Sequence, residues 1–340
     1  MPTIDAARRP ELGPKDATID RALALALLPR RAFGAHKWGV GGLVIVAGAP
    51  GFAGAAALSA AAAGRAGAGI VHVAAPRSIA SVVVMRSPEV VTVPLAEGET
   101  AFAGRRSLEG LEAKLEKSAA LLVGPGLGED EAAGALLGAL FGAGPTRTRI
   151  GFGFGAAPDV EIPASEGVIG RAGKPVAIDA DALNWLAKQP SWPDLLPKGN
   201  AVLTPHVGEM SRLLDRPTDE ILADPVGTTR EAARAWGTVV LFKYGYTAIS
   251  DGERTLVAED APTSLATAGT GDVLAGAVGA FLAQGLMPLD AAALAVYTGM
   301  QAARRVERRV GTLGLVASDL PLAIAEELAA LEIERGDGDA

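Results

Sequence analysis

The sequence contains no cysteine, only three histidines and few aromatic residues, which make up 4% of its 340 positions. Without cysteine the protein can form no disulfide and has no thiolate nucleophile or thiolate zinc ligand. Such a chain needs no oxidising compartment, and we expect a cytoplasmic location. The low aromatic content argues against an aromatic binding platform, whereas abundant alanine and glycine suit helices packed closely on a sheet.

Positive charge is also scarce: 31 Lys and Arg oppose 39 Asp and Glu, which gives a formal net charge of −8. Because duplex binding depends on neutralising phosphates, we expect no nucleic-acid partner. Residues 38–64 carry no charge and are long enough to span a bilayer, but glycines and Pro50 divide them. We therefore predict a buried strand, a turn and a buried helix there, and no membrane span. The apolar residues 22–28 lack the flanks of a signal peptide.

Short β-rich runs, most of them apolar throughout, alternate with helical patterns. The runs cover 43–47, 70–74, 90–93, 119–123, 176–179, 201–203 and 238–242. The helical patterns between them cover 53–65, 107–117, 130–141 and 231–236. Parallel strands buried between helices have this character, so we predict a layered α/β domain with a mostly parallel sheet.

The last third of the sequence differs. Residues 247–250 and 254–258 flank Asp251-Gly252 and predict a hairpin, so the sheet should include antiparallel strands at one end. Three helical patterns follow, at 272–284, 289–309 and 318–331. We expect an N-terminal extension at 1–34, one domain at 35–332 and a disordered tail at 333–340. The glycine-rich segment Gly142–Gly173 predicts an inserted flap or a mobile loop.

The segment from Thr267 to Asp272 carries the clearest chemical signal. Small residues precede an apolar helix, so backbone N–H groups at the helix start could bind a phosphoryl group. Asp272 could accept a proton from a hydroxyl that attacks the phosphorus, and the helix start should lower the pKa of its carboxyl. The same residues also fit an ordinary glycine turn with an acidic helix start.

Three other predicted strands end in polar residues. Lys243 precedes Tyr244-Gly245 and could hold a nucleotide phosphate, or could be a solvated strand-edge lysine. His206 and Glu209 could contact a ligand, or Thr204 and Glu209 could stabilise a helix start. Asp179, Asp181 and Asn184 could bind Mg²⁺ or a phosphate through water, or could cap a helix. Because the carboxyl ends of parallel strands share one edge, these groups should converge.

Other glycine motifs exclude several enzyme classes. Gly124–Gly128 follows a strand but lacks the spacing of a dinucleotide-binding fingerprint, and no acid ends a second strand about 20 residues further on. Gly173-Lys174 is followed by proline, which excludes a phosphate-binding P-loop. No G-x-S-x-G elbow is present, which disfavours hydrolase triads. Only His36, His72 and His206 are available as metal ligands, which disfavours zinc chemistry.

Taken in order, the motifs resemble the NAD(P)H-hydrate dehydratases of the ribokinase-like superfamily. The motifs span roughly residues 36–300 and comprise His36-Lys37, Gly54–Ala56 with Arg65–Gly69, Gly124–Gly128, Asp179–Asn184, Thr204–Glu209 and Gly269–Gly276. The resemblance implies a ribokinase-like three-layer α/β/α fold. It also implies phosphorylation of the hydroxyl on the hydrated nicotinamide ring, in the S form, by ADP or ATP with Mg²⁺, followed by phosphate loss that restores NADH or NADPH.

The resemblance also assigns roles to residues. It implies that Asp272 is the catalytic base and a substrate contact, and that Gly269, Thr270 and Gly271 form the anion hole. The residues implied to hold the adenosine nucleotide are Lys243, Tyr244, Gly245, Tyr246, Thr247 and Gly271. Those implied to contact the hydrated dinucleotide are Ala55, Gly126 and His206, with Asp179, Asp181, Asn184 and Glu209 as additional candidates. The metal ligands are left unassigned. Relatives assemble as homo-oligomers, of which a tetramer is one form.

Alternatives follow from the departures from the family pattern. Tyr244 replaces a glycine after the lysine, and Ala268 replaces one of a glycine pair. The chain could therefore be a nucleotide-binding relative without turnover. It could also be a small-molecule kinase of the superfamily that acts on a sugar, thiazole or pyrimidine alcohol. Few residues precede Leu43, so we expect any epimerisation of the hydrate to need another protein.

Overall fold

A computed structural model of the chain describes residues 16–95, 108, 110–143 and 167–336. It contains ten strands in one sheet. Their bounds are β1 Asp16–Thr18, β2 Gly42–Val46, β3 Ile70–Pro76, β4 Val91–Leu95, β5 Ala120–Val123, β6 Val176–Ile178, β7 Ala201–Leu203, β8 Val239–Lys243, β9 Thr247–Ser250 and β10 Thr255–Ala258.

The strand order across the sheet is β1-β10-β9-β8-β7-β6-β5-β2-β3-β4. All neighbouring pairs are parallel except those that β9 makes with β8 and β10. In the centre of the sheet, Ile45 of β2 is in register with Val73 of β3 and Leu122 of β5. The mostly parallel sheet with antiparallel pairing toward one end confirms the predicted fold class.

Helices cover both faces of the sheet. In chain order, the first seven described are α1 Arg21–Leu27, α2 Lys37–Val40, α3 Ala53–Arg65, α4 Ala80–Arg86, α5 at 110–115, α6 Glu131–Phe141 and α7 Val168–Ala172. The later helices are α8 Asp181–Leu186, α9 Val207–Leu214, α10 Thr218–Ala223, α11 Pro225–Trp236, α12 Thr270–Ala283, α13 Pro288–Gly314 and α14 Leu320–Arg335. The helix predicted to end at residue 331 thus continues to Arg335, and α13 is interrupted at Gly311, whose φ is 75°.

Each central strand is buried on both faces, and its alternate residues enter two separate cores. In β2, Leu43 and Ile45 join the core under α3, α12, α13 and α14, while Val44 and Val46 join the core on the opposite face. Period-two alternation of side chains explains this division. Because both faces are covered, the strands read as continuous apolar runs in the sequence.

Small residues let α3 and α12 touch through their backbones. A Cβ atom placed on Gly276 of α12 would lie 2.2 Å from the carbonyl oxygen of Ser59 in α3. Such an approach is possible only for glycine. The abundance of alanine and glycine in both helices therefore serves close helix packing on the sheet.

Part of the expected N-terminal extension is built into this domain. Strand β1 pairs in parallel with β10, and Ala24 of α1 lies in the same core as α13 and α14. Arg21 forms salt bridges with Glu327 and Glu334 of α14. The prediction for Gly142–Gly173 falls mainly on residues 144–166, and that for the tail partly on 337–340, which lie outside the described residues.

Candidate active site

Polar residues at the carboxyl ends of β6, β7 and β8 meet the first turn of α12, as the sequence predicts. The Lys243 Nζ atom lies 3.3 Å from Asp179 Oδ1, and Lys243 forms a parallel bridge with His206. The charges of Asp179 and Lys243 both act on the pKa of Asp272. The shared sheet edge therefore brings these four residues into one cluster.

A glycine turn opens α12. Gly269 has a φ of 89°, and a Cβ atom there would lie 2.7 Å from Leu58 Cδ1 and 3.0 Å from Ala317 Cβ. The Thr270 hydroxyl donates to the carbonyl oxygens of Leu265 and Thr267, at 2.8 and 2.9 Å, and so holds the turn. No side chain in the described part of the chain caps this helix start. The Thr270 N–H donates to the Thr267 carbonyl oxygen at 3.3 Å, so the N–H groups of Gly271 and Asp272 are the ones placed for an anionic ligand.

The pKa of Asp272 is raised, not lowered as the sequence analysis expects. Burial raises it from 3.8 to about 7, and the negative charges of Asp179 and Asp181 add to the rise, while Lys243 opposes it. The helix start argues for a lower pKa, but loss of hydration of a buried carboxylate outweighs it. Asp272 is consequently a better proton acceptor than an exposed aspartate, with a pKa close to neutral pH.

Glu209 and His206 stabilise the start of α9. The Glu209 Oε2 atom accepts from the His206 N–H at 2.8 Å, and His206 Nδ1 accepts from the Gly208 N–H at 3.0 Å. Since Nδ1 accepts, the neutral imidazole carries its proton on Nε2, which lies 3.5 Å from Glu209 Oε1. The helix-start interpretation therefore applies to Glu209, but its capping partner is His206, because the Thr204 hydroxyl donates to Asp179 Oδ1 instead. Both His206 and Glu209 also lie close to Lys243.

Both titratable groups at this helix start have shifted pKa values. Burial raises the pKa of Glu209 to about 7, with Asp179 adding to the rise and Lys243 opposing it. Burial, with the positive charges of Lys243 and Arg212, lowers the pKa of His206. At neutral pH, His206 is thus a neutral hydrogen-bond donor through Nε2.

The glycine loop after β5 rests on the turn after β6. A Cβ atom on Gly124, whose φ is 128°, would lie 1.8 Å from the Asp179 carbonyl oxygen. The Gly128 N–H donates to Asp181 Oδ2 at 2.8 Å. Asp181 therefore fixes this loop through one carboxylate oxygen.

The two expected dinucleotide contacts of the first half of the chain touch each other. A Cβ atom on Gly126, whose φ is 61°, would lie 2.8 Å from the Cβ atoms of both Ala55 and Phe52. Gly126 thus packs on the first turn of α3. The structure brings Ala55 and Gly126 together on the side of the glycine loop that faces α3.

The hairpin between β8 and β9 buries the Tyr244 side chain. Tyr244 is only 2% exposed and stacks on Phe242 with ring centroids 5.0 Å apart, while its N–H donates to the Tyr246 carbonyl oxygen at 2.9 Å. Gly245 at the tip has a φ of 102°, and Thr247 pairs with Lys243. The bulky Tyr244 side chain lies in the core, so it does not obstruct the approach of a phosphate to the hairpin.

Sequence reasoning missed Arg212 and the contact of Thr204 with Asp179. The Thr204 hydroxyl donates to Asp179 Oδ1 at 2.6 Å, and Arg212 Nε donates to Asn184 Oδ1 at 3.0 Å. Thr204 directly follows β7 within the Thr204–Glu209 motif, so its position at the sheet edge was the available signal. Arg212 lies four residues after Gly208 on α9, which helical spacing places on the same face.

A preformed metal cage is absent from the described residues, where no group of three or more His, Asp or Glu side chains is placed to hold an ion. Asp179, Asp181 and Glu209 each have a protein partner instead. Nor does any helix in the described ranges have the length and apolarity needed to cross a bilayer.

Comparison with known proteins identifies the family. The family model described as NAD(P)H-hydrate dehydratase matches residues 43–141 and 148–326. The chain belongs to this family. A bifunctional NAD(P)H-hydrate repair enzyme of Moorella thermoacetica is 35% identical over 297 residues, which cover 86% of this chain and 50% of that enzyme. The chain thus spans about half the length of the curated relatives it matches.

Solved structures confirm the ribokinase-like fold of this family member. A ribokinase-like superfamily protein from Enterococcus faecalis matches with a TM-score of 0.74 at 19% identity, over 94% of this chain and 98% of that one. The ADP/ATP-dependent NAD(P)H-hydrate dehydratase of Bacillus subtilis, co-crystallised with ATP and Mg²⁺, matches with a TM-score of 0.70 at 22% identity. That match covers 95% of this chain and all of the other.

Proposed function

We propose that the protein dehydrates the S form of hydrated NADH or NADPH, using ADP or ATP as phosphoryl donor, and so restores the intact dinucleotide. The observation that carries this proposal is the carboxyl of Asp272 in the first turn of an uncapped helix whose start adjoins Lys243. The Lys243 Nζ atom lies 3.6 Å from the position of a Cβ on Gly271. We infer the substrate from the family to which the chain belongs and from the relatives it matches.

The first step transfers a phosphoryl group. Asp272 accepts the proton of the ring hydroxyl, whose oxygen attacks the terminal phosphorus of the nucleotide. The bond from that phosphorus to the bridging oxygen breaks, and AMP leaves from ADP, or ADP from ATP. The N–H groups of Gly269, Thr270 and Gly271 and the ammonium of Lys243 stabilise the phosphoryl oxygens, since positioning and charge dominate this chemistry.

The second step eliminates phosphate. The bond from the ring carbon to the ester oxygen breaks with the electron pair on phosphate. The neighbouring ring carbon gives a proton to the departing phosphate, and the electron pair of that carbon–hydrogen bond forms the carbon–carbon double bond. Ala55, Gly126 and His206 would hold the dinucleotide during both steps, with Asp179, Asp181, Asn184 and Glu209 near it. Backbone groups of residues 243–247 would hold the nucleotide.

Mg²⁺ fits this site only as a companion of the nucleotide. The ion binds oxygen, keeps several waters and is usually held largely by substrate phosphates. Because the described carboxylates do not form a cage, we assign the ion to the phosphates and to no particular side chain. When bound, it would neutralise charge on the transferred group.

Three further expectations stay proposals. We propose a homo-oligomer, with a tetramer as one form, small-molecule substrates as the only ligands, and a cytoplasmic location. The lack of cysteine supports a reducing compartment, and the net negative charge of −8 argues against nucleic acid.

The decisive experiment mixes purified protein with hydrated NADH, Mg²⁺ and either ADP or ATP. Recovery of the near-ultraviolet absorbance of NADH, together with release of phosphate, would support the dehydratase. Nucleotide-dependent phosphorylation of a sugar, thiazole or pyrimidine alcohol, without recovery, would instead support a kinase. Thermal stabilisation by nucleotide with no turnover of any of these would support a binding module.

A further inference from the structure

Asp179 is a buried carboxylate at the end of β6, only 3% exposed. Its Oδ1 atom accepts from the Thr204 hydroxyl at 2.6 Å and from the Lys243 ammonium at 3.3 Å. The three residues belong to the ends of three adjacent strands, β6, β7 and β8. A carboxylate so deeply buried persists only with such partners.

The backbone fixes this carboxylate in place. The Asp179 N–H donates to the Val123 carbonyl oxygen at 3.1 Å, and Gly124 approaches the Asp179 carbonyl closely enough to exclude any side chain. Ala180, the next residue, has a φ of 52°, a conformation that costs a non-glycine residue about 1–3 kcal/mol. A strained, closely packed turn thus aims Asp179 at Lys243.

Lys243 is a cation that acts on several carboxyls. Its charge opposes the raised pKa values of both Asp272 and Glu209, and its Nζ atom lies beside Gly271 at the anion-binding turn. An ammonium so placed could pair directly with Asp272. That pairing would neutralise the base and withdraw the ammonium from a phosphoryl group.

We propose that Asp179 is a positioning residue that holds the Lys243 ammonium beside the glycine turn and away from a direct ion pair with Asp272. In this role Asp179 acts through Lys243 rather than by touching substrate or nucleotide itself. This inference deepens the proposed function and rests on it for its kinetic consequences, while its electrostatic consequence belongs to the folded protein alone.

Asp179→Asn tests the proposal because it keeps the shape of the side chain and removes its charge. Lys243 should then pair with Asp272 and lower the pKa of that carboxyl. We expect kcat to fall about 10- to 100-fold and the acid limb of the pH–rate profile to move down by about one pH unit, with KM for the nucleotide changed less. A fall in kcat with an unmoved acid limb would overturn the proposal.

A double-mutant cycle distinguishes positioning from a general structural role. If Asp179 acts through Lys243, Asp179→Asn should have little further effect on kcat in a Lys243→Ala background. Effects that simply multiply would contradict the proposal. Thr204→Val, which removes one donor to Asp179 but keeps the charge, should move the acid limb in the same direction by a smaller amount.

Asp194→Asn is the matched control. Asp194 is exposed and lies 3.9 Å from Lys198, so this variant removes the aspartate of a lysine pair at the surface. We expect its pH–rate profile to match that of the unmodified protein. A shift as large as that of Asp179→Asn would show that any lost carboxylate moves the profile and would overturn the proposal.

A readout without turnover separates this inference from the proposed function. The Asp272 carboxyl, with its pKa raised from 3.8 to about 7, binds a proton more tightly in the folded state, so its contribution to unfolding free energy falls as pH rises through that window. Urea unfolding of the unmodified protein and of Asp272→Asn gives this contribution with Asp179 present. Urea unfolding of Asp179→Asn and of the double variant gives it with Asp179 replaced. We expect the contribution of Asp272 to the unfolding free energy to fall less with rising pH when Asp179 is replaced. Because the Asp179 charge also acts directly on Asp272, the same comparison is made in a Lys243→Ala background. An effect of Asp179→Asn that is larger with Lys243 than without it would support the inference even if dehydration is not observed, and an equal effect would overturn it even if dehydration is observed.

Discussion

Two helices, α9 and α12, begin at the same edge of the sheet, and each carries a carboxyl at its third residue. In α9, Glu209 turns back to accept the His206 N–H, and His206 accepts from the first turn. In α12, Asp272 makes no such bond, and a glycine with φ 89° precedes the helix. Burial raises the pKa of both carboxyls to about 7. The difference is therefore in the cap: His206 and Glu209 cap the start of α9, whereas no side chain of the described residues caps the start of α12.

This contrast assigns different roles to two similar groups. A carboxyl that caps its own helix stabilises the fold, and a carboxyl beside open N–H groups can act on whatever those groups bind. Four substitutions test whether the contrast holds.

The largest effect is expected from Asp272→Asn. The variant keeps the backbone donors but loses the base, so kcat should fall by about 10²- to 10⁴-fold while the Kd for nucleotide changes little. In the unmodified protein, kcat should rise with pH through about 7 as Asp272 loses its proton. Steady-state kinetics and calorimetric titration with ADP measure both. Full activity in this variant would remove Asp272 from the mechanism.

Gly269→Ala should disrupt the open helix start. The alanine would be strained at φ 89° and would press on Leu58 and Ala317, so we expect a loss of about 3 kcal/mol in unfolding free energy and weaker nucleotide binding. Gly285→Ala is the matched control, because Gly285 has φ 92° and no heavy atom of the described residues lies within 4 Å of its added Cβ.

The control should lose only about 1 kcal/mol, the cost of the left-handed conformation alone. Urea unfolding and nucleotide titration of both variants measure the difference. Equal losses, with nucleotide binding retained, would mean that the close packing at Gly269 does not shape the turn.

Glu209→Gln should affect stability in a pH-dependent way. The amide oxygen can still accept the His206 N–H, so the cap is kept while the buried charge is removed. Because the pKa of Glu209 rises from 4.5 to about 7 on folding, the unmodified protein loses stability as pH increases across this range. Relative to it, the variant should gain on the order of 2 kcal/mol between pH 5 and 8. A constant difference in urea unfolding at the two pH values would contradict the burial argument.

Lys243→Ala should have the smallest effect, a rise of about tenfold in the Kd for ADP. The variant loses one charge-assisted contact, that of the Lys243 ammonium with a phosphate of the nucleotide. Lys198→Ala, which removes an exposed lysine, serves as control and should leave the Kd unchanged. An unchanged Kd in Lys243→Ala would make Lys243 solely the internal partner of Asp179.

Sequence reasoning predicted the sheet and the family well for a physical reason. Strands such as β2 and β5 are buried on both faces and therefore read as unbroken apolar runs, and the glycine turns are required by backbone geometry. Both predictions are confirmed. The short helices α4 and α10 were missed because single turns carry little periodic signal.

The electrostatics of the site could not be predicted in the same way. The sequence reveals that Asp272 starts a helix, but not that neighbouring strands bury it beside Asp179. Likewise, Tyr244 reads as an obstacle to phosphate until its stacking on Phe242 is known. Local sequence fixes the position of a residue along its element, whereas hydration depends on residues distant in the chain. The assigned roles of the individual site residues stay predictions until the variants are measured.

The backbone contact at Gly276 has a mechanical consequence. Helices α3 and α12 meet there without intervening side chains, and their first turns carry Ala55 and Asp272. The spacing between the proposed dinucleotide contact and the proposed base is thus set by two helices in direct backbone contact rather than by side-chain rotamers. A bulkier residue at position 276 would push the two helices apart and so change the distance between their first turns.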